Sequence, residues 1–433
     1  MPDTSERAGA DKYSTLATPD QLEKEALALR LLASPEVQAA LEDVRKLYAA
    51  DPIAAMPGAQ ATLRAAADSI AMSAALGTVN KDVDRPVMLW STTAAHKWHG
   101  LDVPRTGLVQ DNPDNVHRGV PIDGAARYEI HGKVNVPGPA QETFVLYAAR
   151  AGAGEGGVRE NLEEAGMVSL DQIALGPDGT FVITIDSSPA DGRTNHLQTH
   201  PDAGQGNVLI RDTLSDWAVQ NPVQLSVRRV SGPPIRPAPT EAELAVAAAD
   251  TLSKISRYWL AWEHRVFFSR PANAFTLNFA RVTGWGFNRG GHFDLAGDEV
   301  LVVTLERRDA AYLSFQVTDL WGPSVNYVDR SGGLNQAVAR ADADGAYTYV
   351  VAVDDPGVPN WIDPAGLRAG TFCARWQALP PGMSADDAVR AIDVVKLKDL
   401  ENVLPPGTVR ISPGERQAQL AERAKNYARR LTA

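Results

Sequence analysis

The sequence predicts a mainly β protein: a helical N-terminal segment, two related β-domains with a bracing helix between them, and a C-terminal helix. The first observation behind this is a pattern that occurs twice in register. Residues 178–186 read Asp-Gly-Thr-Phe-Val-Ile-Thr-Ile-Asp and lead to Asn195-His196 and then to Val208–Arg211. Residues 344–354 read Asp-Gly-Ala-Tyr-Thr-Tyr-Val-Val-Ala-Val-Asp and lead to Asn360-Trp361 and then to Phe372–Arg375. Asp178 to Asn195 is 17 positions and Asp344 to Asn360 is 16; Asn195 to Arg211 is 16 and Asn360 to Arg375 is 15. Self-similarity in fixed order is the trace of repeated architecture. The second observation is a change of texture after Val87, from helical spacing to short β-rich runs broken by Gly, Pro, Asn and Asp. The third is the helix signal that interrupts those runs after residue 239.

Taken in order, Thr18-Pro19-Asp20-Gln21 and Ser34-Pro35-Glu36 are helix starts, with a hydroxyl cap followed by Pro. Alanine-rich residues 57–76 predict a third helix, so residues 1–82 form the helical segment. The first β-domain spans 83–232, with strands expected at Arg127–Val136, Thr143–Ala149, Phe181–Ile185, Val208–Arg211 and Val223–Val230. A proline-rich stretch, Gly232–Pro239, leads into the capping box Thr240-Glu241-Ala242-Glu243. Behind it Leu244, Ala248, Leu252, Ile255, Trp259, Trp262 and Val266 recur at helical spacing, so 233–270 is linker and bracing helix. The second β-domain spans 271–383. Residues 384–433 are an extension whose capping box, Ser412-Pro413-Gly414-Glu415, opens the last helix.

The 433 residues suffice for two or three domains, and 44% hydrophobic with 22% charged residues is ordinary for a globular chain. Net charge −11 argues against nucleic-acid and anionic membrane partners. Neither a signal peptide nor a membrane-spanning run is legible, so a cytoplasmic location is the expectation. The lone Cys373 excludes an intrachain disulfide and reads as a small buried hydrophobe.

Several motifs resemble the bacterial domain-of-unknown-function family 1214. They are residues 110–115 (Gln-Asp-Asn-Pro-Asp-Asn), Ile122-Asp123, Arg127–Gly132, residues 353–361 (Val-Asp-Asp-Pro-Gly-Val-Pro-Asn-Trp), Gly370-Thr371 and Arg375-Trp376. The resemblance covers most of 85–430 and implies two β-sandwich or jelly-roll-like domains. By fold analogy it suggests carbohydrate processing; it supplies no catalytic residues.

The densest polar cluster is 111–118. Asp111 and Asp114 could serve as an acid/base pair, with His117 as proton shuttle and Asn112 and Arg118 holding substrate. The competing reading is a capping loop whose short side chains bond nearby backbone. Trp98, Tyr327, Asn360 and Trp361 are candidate walls and amide contacts for a sugar ring. Asp354 and Asp355 are adjacent and point to opposite sides of an extended strand, so an acid partner would have to come from Asp319 or Asp111. Asn360-Trp361 also reads as a structural corner, because Asn and Arg recur in both copies. His96 and His99 lack the further ligands of a metal site. The glycine loop 152–157 lacks the βαβ context of a dinucleotide site, so no cofactor is implied. Two functions remain open: a hydrolase or lyase acting on a carbohydrate or glycoconjugate near residues 111–114, or a non-catalytic protein binding a small glycosidic or apolar ligand. The oligomeric state is open.

Overall fold

A computed structural model of the chain describes residues 14–147, 164–281, 283–380 and 387–432. The chain is mostly β, with several sheets and a few helices: 31% strand and 28% helix. Helices α1 (Pro19–Leu32), α2 (Pro35–Ala49) and α3 (Ala59–Val79) precede the first strand. The hydroxyls of Thr18 and Ser34 accept from the backbone N–H groups of Gln21 and Val37, which satisfies donors that a helix start leaves unpaired. Helix α4 (Glu241–Glu263) starts on the complete Thr240–Glu243 capping box and runs into a π-helical turn, His264–Phe268. Its buried side, through Ala248 and Leu252, packs against α2 and α3. Helix α5 (Pro413–Ala428) starts on the Ser412–Glu415 box. The helical core takes in Trp90 and Trp98 from the first β-region and Trp321 and Tyr327 from the second, so the helices pack against both. Among the described residues no helix is long and apolar enough to cross a membrane.

In chain order the first half contributes β1 (Leu89–Thr92), the small hairpin β2 (His96–Trp98) and β3 (Leu101–Val103), β4 (Asn115–Asp123), β5 (Arg127–Lys133) and β6 (Gln141–Tyr147). Then come β7 (Glu164–Ser169), β8 (Thr180–Asp186), β9 (His196–Gln198), β10 (Gln205–Thr213) and β11 (Gln224–Ser231). The second half contributes β12 (Leu277–Ala280), β13 (Gly286–Asp294), β14 (Glu299–Leu305), β15 (Tyr312–Val317) and β16 (Gly333–Asn335). It ends with β17 (Tyr347–Val351), β18 (Trp361–Ile362), β19 (Ala369–Gln377) and β20 (Val389–Lys396). The stretch after 383, expected as an extension, contains strand β20. Residues 389–396 pair with β14 and complete a sheet of the second half.

Each half has a five-stranded and a four-stranded sheet. The orders are β1-β4-β10-β6-β7 and β11-β5-β8-β9 in the first, β12-β13-β19-β15-β16 and β20-β14-β17-β18 in the second. Chain order maps one set onto the other, including a parallel pair in each, β8 with β9 and β17 with β18. In the first half Phe144, Val208 and Ile210 of one sheet share a core with Tyr128, Ile130 and Ile183 of the other. In the second, Phe315, Phe372 and Trp376 share a core with Leu301, Val303 and Tyr349. Buried Cys373 sits one residue from Phe372 on β19 and so points to the opposite face of that strand.

The recurring residues occupy matching places. Asn195 precedes β9 and Asn360 precedes β18. The Asn195 amide accepts from the backbone N–H of Ala174 (2.9 Å) and donates to its carbonyl (3.2 Å); Asn360 does the same to Arg340 (2.7 and 2.8 Å). Arg211 and Arg375 are each the seventh residue of a nine-residue strand. Two motif glycines answer to close approach. A Cβ on Gly132 would meet the Phe181 ring at 2.1 Å, and one on Gly370 the Thr318 carbonyl oxygen at 2.3 Å. The glycine loop at 152–157 lies outside the described residues.

Candidate functional site

Segment 110–115 connects the hairpin to β4 and docks on the second half. Asp111 pairs with Arg105 (2.9 Å) and accepts from the backbone N–H of Ser324 (2.8 Å). The Asn112 amide and the Tyr312 hydroxyl bond to each other, and Asn112 also accepts from the Asp114 N–H. Asp114 accepts from the Tyr312 hydroxyl (2.7 Å) and the Trp217 indole (2.8 Å), and burial pushes its pKa up. Both carboxylates are enclosed and their polar atoms engaged. The alternating strand sends Arg118 into the first core, where it holds Asp212 (2.5 Å) and the Val223 carbonyl (2.8 Å), with Glu142 at 3.6 Å. An arginine tied in this way is not available to a substrate.

His117 faces the other way. The charged groups that weigh most on it are arginines, Arg211, Arg375 and Arg281, which together with burial keep it neutral well below the usual histidine range. Neither Asp111 nor Asp114 stands beside it as an acid/base partner.

The remaining candidates are dispersed. Trp98 lies in the helical core and its indole donates to Glu25 (2.7 Å). Beside it His96 bonds the Ala94 carbonyl; among the described residues no three His, Cys, Asp or Glu side chains converge as a metal site. Tyr327 packs on Tyr427 and under Arg105. Trp361 fills a separate apolar cluster, donates to the Ala352 carbonyl and lies under Arg416. Asn360 borders a surface groove of about 190 Å³ between residues 340–343 and 404–409, but its amide is spent on Arg340 and Thr348. None of Asp111, Asp114, His117, Trp98 and Trp361 lines this groove. Asp355 is held by Arg416 (2.9 Å).

The groups that do converge lie between the two five-stranded sheets. Their outer faces, opposite the cores, turn toward each other: Val145, Tyr147 and Leu209 of the first pack on Trp285, which precedes β13. On the first face Arg211 stands between His117 on β4 and Thr143 on β6. On the second Arg375 stands between Asn288 on β13 and Ser314 on β15. The Arg211 guanidinium lies 4.8 Å from the Trp285 ring and the Arg281 guanidinium 4.7 Å from it. One nitrogen of Arg211 donates to the Tyr147 hydroxyl (3.1 Å) and one of Arg375 to the Gln110 carbonyl (2.5 Å).

The other Nη of each arginine is enclosed without a hydrogen-bond partner among the described residues. So are the Thr143 hydroxyl and Nδ1 of His117, while the Ser314 hydroxyl interacts with that of Tyr312. Burial and the charges of Arg211 and Arg375 push Arg281 down to about 10. Glu164 is the carboxylate nearest in effect, and it is bonded to Thr283. Buried polar groups are ordinarily paired, so a concentration of unpaired ones, among the described residues, sets this place apart. The sequence marked Arg211 as a repeat position and Arg375 as a repeat and family-motif position, and did not single out Arg281, Trp285, Thr143 or Ser314. Alternation with core-facing Ile210 and Ala374 was the available signal.

A second buried group is acidic. Glu263 ends α4 at the π-helical turn, and both its carboxylate oxygens lack partners among the described residues. Burial and Asp319 hold its pKa well up, while burial pushes Asp319 itself up to about 7.

No family model and no curated protein matches the chain. An uncharacterized protein from Burkholderia cenocepacia, known from a crystal structure, is similar with a TM-score of 0.67 and 24% identity, over 86% of this chain and 99% of that one. The VPA0106 protein from Vibrio parahaemolyticus matches 66% of this chain and 89% of its own at 11% identity, with a TM-score of 0.38. The first likeness concerns the fold alone.

Proposed function

We propose that this chain is a binding protein that holds a small polar molecule between its two halves. The observation that carries the reading is the set of enclosed, unpartnered polar groups contributed by both five-stranded sheets. A non-catalytic role fits their chemistry, because His117 looks onto arginines and the nearby carboxylates of residues 111 and 114 are engaged elsewhere. The halves read as copies of one β-sandwich unit. Matching strand orders, the paired Asn195/Asn360 loops and contacts that recur with the halves exchanged support this. Asp114, one residue before β4, meets Tyr312 at the start of β15; Trp285, one residue before β13, meets Gln141 at the start of β6. Reciprocal contacts of this kind are those of a two-fold interface. The resemblance to the domain-of-unknown-function family 1214 belongs to the same reading.

The test is a thermal-shift screen of neutral and acidic monosaccharides, repeated on Trp285→Ala. A ligand at 100 times its dissociation constant stabilises by about 2.7 kcal/mol. Shifts seen in the parent and lost in the variant support the reading; shifts that persist in the variant, or none from any compound, overturn it.

A second reading, a hydrolase acting on carbohydrate, is favoured by one observation. Glu263 is a buried carboxyl beside Asp319, and a raised pKa suits a general acid. Glycosidase activity abolished by Glu263→Gln in a folded protein would decide for it.

A further inference from the structure

We propose that Arg211 and Arg375 jointly bind the anionic group, a carboxylate or a phosphate, of the ligand held between the halves. The proposal rests on the binding reading above and names the ligand's class.

The argument is one of charge and of matched positions. Arg211 is 7% exposed and Arg375 5%, and each keeps one enclosed guanidinium nitrogen without a partner among the described residues, beside the bond to Tyr147 or Gln110. Arg281 adds a third guanidinium, stacked like Arg211 against Trp285. Three enclosed cations with, among the described residues, one engaged carboxylate at their edge carry a desolvation and repulsion cost that an anion would offset. The chain has net charge −11, so this concentration of positive charge is not a reflection of its composition.

The enclosed donors come as counterparts. Nη1 of Arg211 matches Nη1 of Arg375, and the Thr143 hydroxyl, unpaired among the described residues, stands where the second half has Ser314, each hydroxyl being the cross-strand neighbour of its arginine. Guanidiniums and hydroxyls are the donors that take carboxylate or phosphate oxygens, the guanidinium as a planar fork. His117 is neutral here and adds one more polar contact through Nδ1. Trp285 and Tyr147 supply apolar faces beside the charge, which suits an anion carried on a ring or short carbon skeleton better than a bare ion.

The experiment is calorimetric titration of the full chain with galacturonate, galactose and inorganic phosphate at constant ionic strength. It is repeated on Arg211→Gln, Arg375→Gln and the charge-keeping Arg211→Lys. Galacturonate is expected to bind at one per chain and at least tenfold more tightly than galactose, and each Gln variant to weaken it about tenfold or more. Arg211→Lys is expected to lie between. Phosphate binding as tightly as galacturonate would assign the anion to a phosphate ligand; weaker phosphate would assign it to a carboxylate. Galactose binding equal to galacturonate, lost in Trp285→Ala, overturns the charge assignment and leaves the binding reading standing. Anion binding unchanged in both Gln variants overturns the proposal. Because each Gln variant removes a crowded charge, folding is expected to survive, and circular dichroism of each variant checks it.

Discussion

Thr213 and Gln377 hydrogen-bond to each other at 2.7 Å, and each is the last residue of its nine-residue strand. A residue that touches its own counterpart lies close to the axis relating two copies. Arg211 and Arg375 sit two residues earlier on the same faces, since strand side chains repeat with period two. The inferred two-fold arrangement thus brings these arginines together as a consequence of the way the halves pack. It also explains why a motif that reads as a structural corner in sequence borders a place where, among the described residues, donors from both halves are left unpaired.

The Asn195 and Asn360 side chains each read one residue's backbone in both directions, so their removal is expected to cost stability and leave ligand binding alone. Asn360 is 4% exposed and bonds a second carbonyl, that of Thr348. Asn360→Ala strands buried backbone groups and is expected to cost about 2–4 kcal/mol, with Asn195→Ala nearer 1 kcal/mol in its more open loop. Urea denaturation of the two variants measures this. Equal costs would mean that the loops differ less than their burial implies.

Asp114→Asn distinguishes a structural role for segment 110–115 from a chemical one. The carboxylate accepts both the Tyr312 hydroxyl and the Trp217 indole; an amide can keep its oxygen on the indole but turns an N–H to the Tyr312 hydroxyl, which loses the acceptor for its own proton. The loss is expected to be about 1–3 kcal/mol of folding stability, seen as a lower melting temperature. Binding of galacturonate is expected to persist in the folded fraction. Loss of binding at unchanged melting temperature would return these residues to the site.

Much of the fold was legible because its signals are local. Thr18, Ser34, Thr240 and Ser412 each mark a helix start through a bond to a backbone amide within three residues. The recurrence of Asn195 and Asn360 was legible because each does a job that few residues can do, pairing one residue's N–H and carbonyl. Strand β20 was not read: Val389 and Ile392 alternate only loosely, and its pairing with β14 spans about ninety residues. The site was largely illegible for the same reason. Period two tells that Arg211 opposes core-facing Ile210, but not that a second sheet covers it. Short polar side chains at 111–115 drew attention as chemistry, although in a connecting segment such groups more often pair backbone and neighbouring elements, as Asp111 does with Ser324.

Asp319 gives the stability of this chain a pH dependence whose sign is fixed by its environment. Its carboxyl, 8% exposed, is pushed by burial to about 7, against roughly 3.9 in an unfolded chain. Between those values the folded state binds more protons than the unfolded one, so this group's effect on stability turns increasingly unfavourable as pH rises from about 4 to about 7 and is constant beyond. Asp319→Asn keeps the oxygen that accepts from the Trp321 N–H and removes the ionisation. The variant is expected to match the parent near pH 4 and to exceed it at pH 8, by on the order of 4 kcal/mol at most. Glu263, raised in the same direction, leaves a residual slope in the variant. Urea midpoints at pH 4.5, 6 and 8 for both proteins measure the difference. A variant destabilised equally at all three would mean that Asp319 is ionised in the fold and held by Arg105.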